Sequence, residues 1–371
     1  MIRQKDSQKG IAVLITITIL FVVFILVSEV NRRIQVSLKR ADTVKKRAQL
    51  IQVAKSGIHI GIAVLMEDMK TTKTDSVQET WADPEHMETV LSELPFSEGL
   101  VTLRITDELG KIQVNSLVDY PEGRNFNVKQ KLLWDNFLKL LNPPDESIDN
   151  LGLNTDIVNC VKDWLDSGDD DATTGINGVE NDYYQSLDAP YSCGNGPLKD
   201  LSGFVLIKGI TQEMVDRVEM GYRLGDLMTV YGMTAPEKKT GTSTTTSETD
   251  EKALFTFLGK ININTADLPV IMALMSAEKS VLENSLSAQA IYDYREERTE
   301  DGFVNELSGD WYKTCQGCDD SGIMSDLLTT SSHFFAVECT ATLDKTQVIV
   351  TAVIRRDDEK GKYTVLSWKT E

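Results

Sequence analysis

Eight carboxylates crowd the 26 positions from Asp163 to Asp188: Asp163, Asp166, Asp169, Asp170, Asp171, Glu180, Asp182 and Asp188. Like charges at that density repel unless water or a cation neutralises them. Calcium, which takes about six to eight oxygens and tolerates irregular loops, is the cation suited to such a segment. Counting from Asp169 puts Asp171 third, Thr173 fifth and Glu180 twelfth, as in an EF-hand. The sixth place, where the loop turns sharply and needs glycine, holds Thr174, and Gly175 comes one residue late. The segment is therefore not a true EF-hand, and two readings stand: a solvated acidic loop or an irregular calcium loop.

Other chemistry is sparse. The histidines are His59, His86 and His333, none near the carboxylates, and there is no Gly-x-Ser-x-Gly or Walker loop, so the pattern argues against an enzyme. Cys315-Gln-Gly-Cys318 is a single CxxC, and zinc would require a second. Outside the cytoplasm a local disulfide is the better expectation, and Cys160 with Cys193 could also close a loop. With Cys339 the count is five, so at least one thiol has no intramolecular partner, and the pairing cannot be read from spacing. Asn262–Ala266 and Lys208–Ile210 resemble helix-hairpin-helix modules, but a net charge of -19 repels polyanions and excludes nucleic acid as the main partner.

The first residues decide where this chemistry sits. Met1–Gly10 carries Arg3, Lys5 and Lys9 against Asp6, a surplus that stays in the cytoplasm. Ile11–Val27 is uninterrupted apolar sequence of about bilayer length, with Ile11, Leu14, Ile15, Leu20, Phe21, Phe24 and Val27 as membrane-anchor residues. No Ala-x-Ala cleavage pattern follows, so ordinary removal of a signal peptide is not expected. Beyond it, Ile34, Leu38, Ala41, Val44, Ala48, Ile51, Ala54, Ile58, Ile62, Leu65 and Met69 recur at three or four residues, with Arg and Lys between them. With no proline from Ile11 to Lys70, this predicts one helix of about 60 residues, roughly 90 Å, half in lipid and half laid on a globular head.

The body alternates between patterns. Leu100–Leu117 reads as a hairpin with a turn at Asp107–Gly110, and Phe334–Glu371 as three more strands with turns near Asp344 and Asp357–Gly361. Between them Lys129–Leu141 reads as a helix with Leu132, Leu133, Phe137, Leu140 and Leu141 inward, followed by a helix near Thr155–Ser167 and two short ones around Lys208-Gly209. Gly232–Lys252 is Thr- and Ser-rich and reads as a flexible surface loop. The fold class is α+β: a long transmembrane-to-periplasmic helix packed on an antiparallel sheet, with a large inserted helical domain. The expected divisions are 11–70 for the long helix, 71–117 for the start of the head, 118–258 for the insertion and 259–371 for the rest of the head.

The Lys9-Gly10-Ile11 junction ahead of an unbroken membrane-to-head helix resembles the type IV pilin and pseudopilin N-terminus. The words "GKIQVNSL", "VKDWLDSGDDDATTGINGVENDYYQSLDAPY" and "KININTADLPVIMAL", in that order, resemble the K class, the large minor pseudopilin of type II secretion. The resemblance covers most of the chain. It implies that 1–10 is a leader cut by prepilin peptidase between Gly10 and Ile11, and that Ile11 becomes an N-methylated first residue. At the fifth mature position the family usually has a glutamate; here it is Ile15, an absence that in this family marks the tip subunit.

The resemblance further implies calcium, with Asp166, Asp169, Asp171, Glu180 and Asp182 as ligands, and Asp163 either supporting them or solvated. It implies as partners the I- and J-class minor pseudopilins and the inner-membrane secretion platform. The location implied is a single pass through the inner membrane, N-terminus cytoplasmic and body periplasmic. The competing readings are a signal-anchored periplasmic binding domain that is never polymerised, and a minor subunit of a type IV pilus.

Overall fold

The computed structural model describes residues 5–92, 99–141, 156–168, 173–235, 255–300, 302–319, 321–357 and 361–371. Helix α1 runs unbroken over Lys5–Asp68, 64 residues or about 96 Å. Its apolar stripe meets the head only from Leu50 onward: Leu50, Ala54, Ile58, Ile62 and Leu65 are buried, at steps of three and four. The sequence reading had the stripe packed from Ile34, yet Ile34, Leu38 and Val44 are 53%, 65% and 69% exposed. The reason is the end of the sheet. Lys46 Nζ lies 2.9 Å from Asp344 Oδ2, at the turn where two strands meet, and N-terminal to that contact the helix has left the sheet.

The sheet is antiparallel in the order β1 (Leu100–Asp107), β2 (Phe334–Leu343), β3 (Thr346–Asp357), β4 (Lys362–Thr370). Leu103 pairs with Cys339, and Cys339 with Val350, so alternate residues of three strands form one apolar face. Val337, Cys339, Ala341, Val348, Val350, Ala352 and Ile354 of that face are buried beneath α1, with Trp81 and Met87 sealing one end. The contact is close because α1 offers glycine where it crosses β2. A Cβ on Gly57 would lie 2.3 Å from Cys339 Sγ, and one on Gly61 2.7 Å from Val337 Cγ1.

The expected hairpin at Leu100–Leu117 does not form. After β1 the chain makes a 3-10 turn at Glu108–Gly110, and Ile112–Gln113 pairs in parallel with Met228–Thr229. The partner of β1 is β2, more than two hundred residues away. Ile112 and Val114 are fully buried in the inserted body, so the alternation that suggested a hairpin serves a different core.

That second core is helical. α2 (Pro84–Ser92) belongs to the head, whereas α3 (Val128–Leu141), α4 (Asp156–Leu165) and α5 (Val281–Glu296) belong to the insertion. Leu133, Trp134, Phe137, Leu138 and Leu141 of α3 face inward. Leu132 is 40% exposed, against the reading of it as inward, while Leu140 is half-buried and packs against the core as expected. Ile261, Ile263, Val270, Ile291 and Trp311 share the core of Trp134 and Phe137, so this second core includes residues beyond 258, as far as Leu327. Most of Gly232–Lys252 lies outside the described residues.

Two buried polar knots tie the cores together. Asp107, at the end of β1, accepts from Asn262 Nδ2 at 2.8 Å, Thr265 Oγ1 at 2.7 Å and Leu109 N at 2.7 Å. Arg356 of β3 donates from Nη2 to Asp75 Oδ1 at 2.7 Å and to Ser332 O at 3.1 Å, and its Nη1 lies 3.5 Å from Asp68 Oδ2. Burial, reinforced by Glu79 and Asp75 and opposed by Arg356, pushes the Asp68 carboxyl up to about 7. A carboxyl that ionises at about 7 when folded and near 3.8 when unfolded supports the fold fully at low pH and loses that support as pH rises through 7. Asp68→Asn should therefore gain stability relative to the parent between about pH 5 and pH 8, read as urea midpoints at the two values.

Candidate functional site

α4 ends in the Asp-Trp-Leu-Asp word. Trp164 is fixed between Tyr184 at 5.1 Å, edge-on, and Tyr191 at 6.3 Å. The phenol of Tyr120 donates to Leu165 O, and Ser167 N donates to Gly123 O at 2.7 Å, so the exit of α4 is held on both sides. This frame turns Asp163 and Asp166, one helical turn apart, toward Glu180, which precedes the short helix Asn181–Gln185.

One oxygen from each of Asp163, Asp166 and Glu180 lies within 4.8 Å of the others, and all three residues are buried or nearly so. Lys162 Nζ sits 2.6 Å from Asp166 Oδ2 and 3.6 Å from Asp163 Oδ1, placing a positive charge against two of the three acids. Thr174 N donates to Asp163 Oδ1 and Oδ2 at 3.2 and 3.0 Å. Gly178 is required here, because a Cβ would lie 2.2 Å from Asp163 Oδ2. Burial raises the Asp166 carboxyl, with the Lys162 hydrogen bond pulling the other way. Asp166 Oδ1 is buried and has no hydrogen-bond partner among the described residues. An orphaned buried oxygen beside two more carboxylates fits a hard divalent cation bound through oxygen.

Of the five ligands drawn from the resemblance, Asp166 and Glu180 are in this cluster. Asp182 is exposed and apart from it, because it lies on the outer face of its short helix. Asp169 and Asp171 lie outside the described residues, as does Asp170; Asp188 is exposed. Asp163, left open as support or solvated, is fully buried at the centre of the cluster. Its three-residue spacing from Asp166 on an apolar helix was the signal in the sequence. A second acidic group, Asp68, Asp75 and Glu79, also has donors, and its Asp68 Oδ2 is likewise buried without a hydrogen-bond partner among the described residues. Besides Arg356, Ser332 N donates to Asp75 Oδ2 at 2.7 Å, and Trp81 Nε1 donates to Glu79 Oε2 at 2.7 Å.

The other candidate site is the bare half of α1. Gly10–Val27 lies in the helix that is long and apolar enough to cross a membrane. Ile11, Leu14, Ile15, Leu20, Phe21, Phe24 and Val27 are all exposed, so none is used by the protein's own core. Thr16 and Thr18 return their hydroxyls to Val13 O and Leu14 O at 2.8 Å, which leaves no hydroxyl proton seeking water in this stretch. Glu29 closes it by pairing with Arg32 and Arg33 at 2.9 Å. This half can anchor in a bilayer and pack against similar helices.

A long helix, bare and apolar at its start and laid on an antiparallel sheet at its end, defines a pseudopilin fold, here enlarged by a helical insertion. Residues 110–220 match the sequence model of type II secretion system protein K. The type II secretion system protein K of Pseudomonas aeruginosa is 25% identical over 384 aligned positions, covering 98% of this chain and 93% of that protein. The protein K of Aeromonas hydrophila is 24% identical over 57% of this chain and 62% of its own length. Among solved structures, one chain of the GspK-GspI-GspJ complex of enterotoxigenic Escherichia coli has the same fold. It has a TM-score of 0.57 and 16% identity, covering 90% of this chain and 99% of that one. Over residues 110–220, and more loosely along nearly its whole length, the chain is similar to the type II secretion system protein K family, the K-class minor pseudopilins.

The five cysteines, Cys160, Cys193, Cys315, Cys318 and Cys339, are all buried free thiols in the structure.

Proposed function

We propose that this chain is the tip subunit of the type II secretion pseudopilus and initiates its assembly for protein secretion. The observation that carries this reading is Ile15 on the bare half of α1, in a stretch with no acidic residue between Asp6 and Glu29. A carboxylate in lipid is costly without a partner, and in pilins that partner is the amino terminus of the neighbouring subunit. A helix without the carboxylate needs no subunit ahead of it. The helical insertion, beside a head built from the sheet, α1 and α2, adds bulk that would obstruct a subunit stacked above. In this reading prepilin peptidase cuts between Gly10 and Ile11. The N-terminus faces the cytoplasm, the body lies in the periplasm, and α1 passes once through the inner membrane.

The partners proposed are the I- and J-class minor pseudopilins, for which the likeness to the GspK of the E. coli complex is the support, and the secretion platform at the membrane. Labelled chain should sit at one end only of assembled pseudopili, seen by immunogold electron microscopy; label along their length contradicts a tip position.

Calcium in this reading is structural. Asp163, Asp166 and Glu180 would hold it, with further oxygens from the acidic loop, and it would neutralise a segment too charged to build a core of its own. A chelator should lower the melting midpoint of the folded chain and calcium restore it. Asp166→Asn should abolish most of that difference, as read by thermal unfolding with and without the ion. Equal midpoints in chelator and calcium would remove the ion from the account.

A further inference from the structure

The CxxC pair is placed on the inserted body, on one face of α5. A 3-10 turn at Trp311–Thr314 leads into Cys315-Gln316-Gly317-Cys318, and Cys318 N donates to Cys315 O at 3.2 Å. Gly317, at φ +80, supplies the left-handed residue this turn needs. A turn closed in this way holds its end α-carbons within about 7 Å, and a disulfide spans about 4.4–6.8 Å. Both thiols point the same way. That of Cys315 donates to Ala290 O at 3.7 Å and that of Cys318 to Ser287 O at 3.6 Å. Ser287 and Ala290 are three residues apart and so lie side by side on the helix.

The turn is pressed onto α5. A Cβ on Gly317 would lie 2.4 Å from Ser287 Oγ, and Lys279 Nζ donates to Gly317 O at 2.7 Å. Gln316 and Gly317 face water while both cysteines are covered. The other cysteines belong elsewhere: Cys339 under α1 in the head, Cys160 against Asn177 O at 3.2 Å, and Cys193 against Asp163 O at 3.7 Å.

We propose that Cys315 and Cys318 form a disulfide as the chain folds in an oxidising environment, closing the turn that packs on α5. The thiolate of one cysteine attacks a sulfur of an external disulfide, glutathione disulfide or a protein dithiol oxidant, and releases one reduced thiol. The second cysteine thiolate then attacks the mixed disulfide and releases the other. The pair loses two protons and two electrons, and the oxidant becomes two thiols. Burial pushes the Cys318 thiol up to about 11, so a pair left reduced in the packed turn reacts slowly. Only the cellular setting rests on the reading of a periplasmic body; the pairing itself rests on the turn.

The test is to refold the full chain in detergent in a glutathione redox buffer or in dithiothreitol, quench in acid, alkylate, and map the cysteines by tandem mass spectrometry. The expected result in glutathione is a peptide carrying Cys315 and Cys318 without alkyl groups and lighter by two hydrogens. In dithiothreitol both should be alkylated. Cys318→Ser should restore alkylation of Cys315 in either buffer. Alkylation of both cysteines after glutathione refolding overturns the proposal, as does a link from either one to Cys160, Cys193 or Cys339. The same trapping on chain extracted from membranes without unfolding separates the two readings. A pair that forms in glutathione but is reduced in cells contradicts the periplasmic placement and leaves the geometry standing.

Discussion

Replacing Arg356 by methionine is expected to destabilise the fold by about 3–5 kcal/mol. The guanidinium is almost wholly buried, stacked 4.8 Å from the Phe335 ring, and ties the C-terminal part of β3 to the segment that follows α1. Methionine fills part of the volume but removes the guanidinium that faces the buried Asp75 carboxylate. The loss is that of stranding charge, which exceeds the net worth of the pair. Adding Asp75→Asn to Arg356→Met should therefore recover part of the loss. Urea unfolding of the two single variants and the double variant measures this; a double variant as unstable as the sum of the singles would mean that the two residues are not coupled.

Gly57→Val should lift α1 from the sheet and cost about 3 kcal/mol, the upper end for forcing carbon into a packed site. The first added atom already falls 2.3 Å from Cys339 Sγ and 3.2 Å from its Cβ, and neither α1 nor β2 can yield without losing the contacts on either side. Valine adds two methyl groups to that. The effect is local enough to be read directly: Cys339, buried in the parent, should become open to a thiol reagent. Pairing Gly57→Ala with Cys339→Ala should give back most of what Gly57→Ala alone loses. A Gly57→Val chain with normal stability and a protected Cys339 would show that the helix does not cross the sheet at this point.

The period of each segment was legible in the sequence; the partner of each segment was not. The steps of three and four from Ile34 to Met69 and the alternation of the last three strands are local signals, and the structure has both elements where they were expected. The hairpin at Leu100–Leu117 failed because alternation tells which face is apolar, not what covers it. The turn expected at Asp107–Gly110 is present, but it hands the chain from one core to the other instead of back along β1. The stripe on α1 continues past the sheet, so the sequence could not say where the head ends; only the Lys46–Asp344 contact does.

The acidic site shows the same limit. Composition found the loop, and the resemblance chose ligands by their place in it, but burial decides which carboxylates converge. Asp163 converges because the apolar face of α4 carries it inward beside Trp164, while Asp182 points out to water. The apolar run Ile11–Val27 needed no fold to be read, since the seven residues named from it are exposed among the described residues.

The account stands on the Gly10–Ile11 junction, and the most direct test is the intact mass and N-terminal residue of the full chain extracted from membranes of cells with and without prepilin peptidase. The account predicts a chain that begins at N-methylated Ile11 only when the peptidase is present. A chain still beginning at Met1 beside an active peptidase would contradict it.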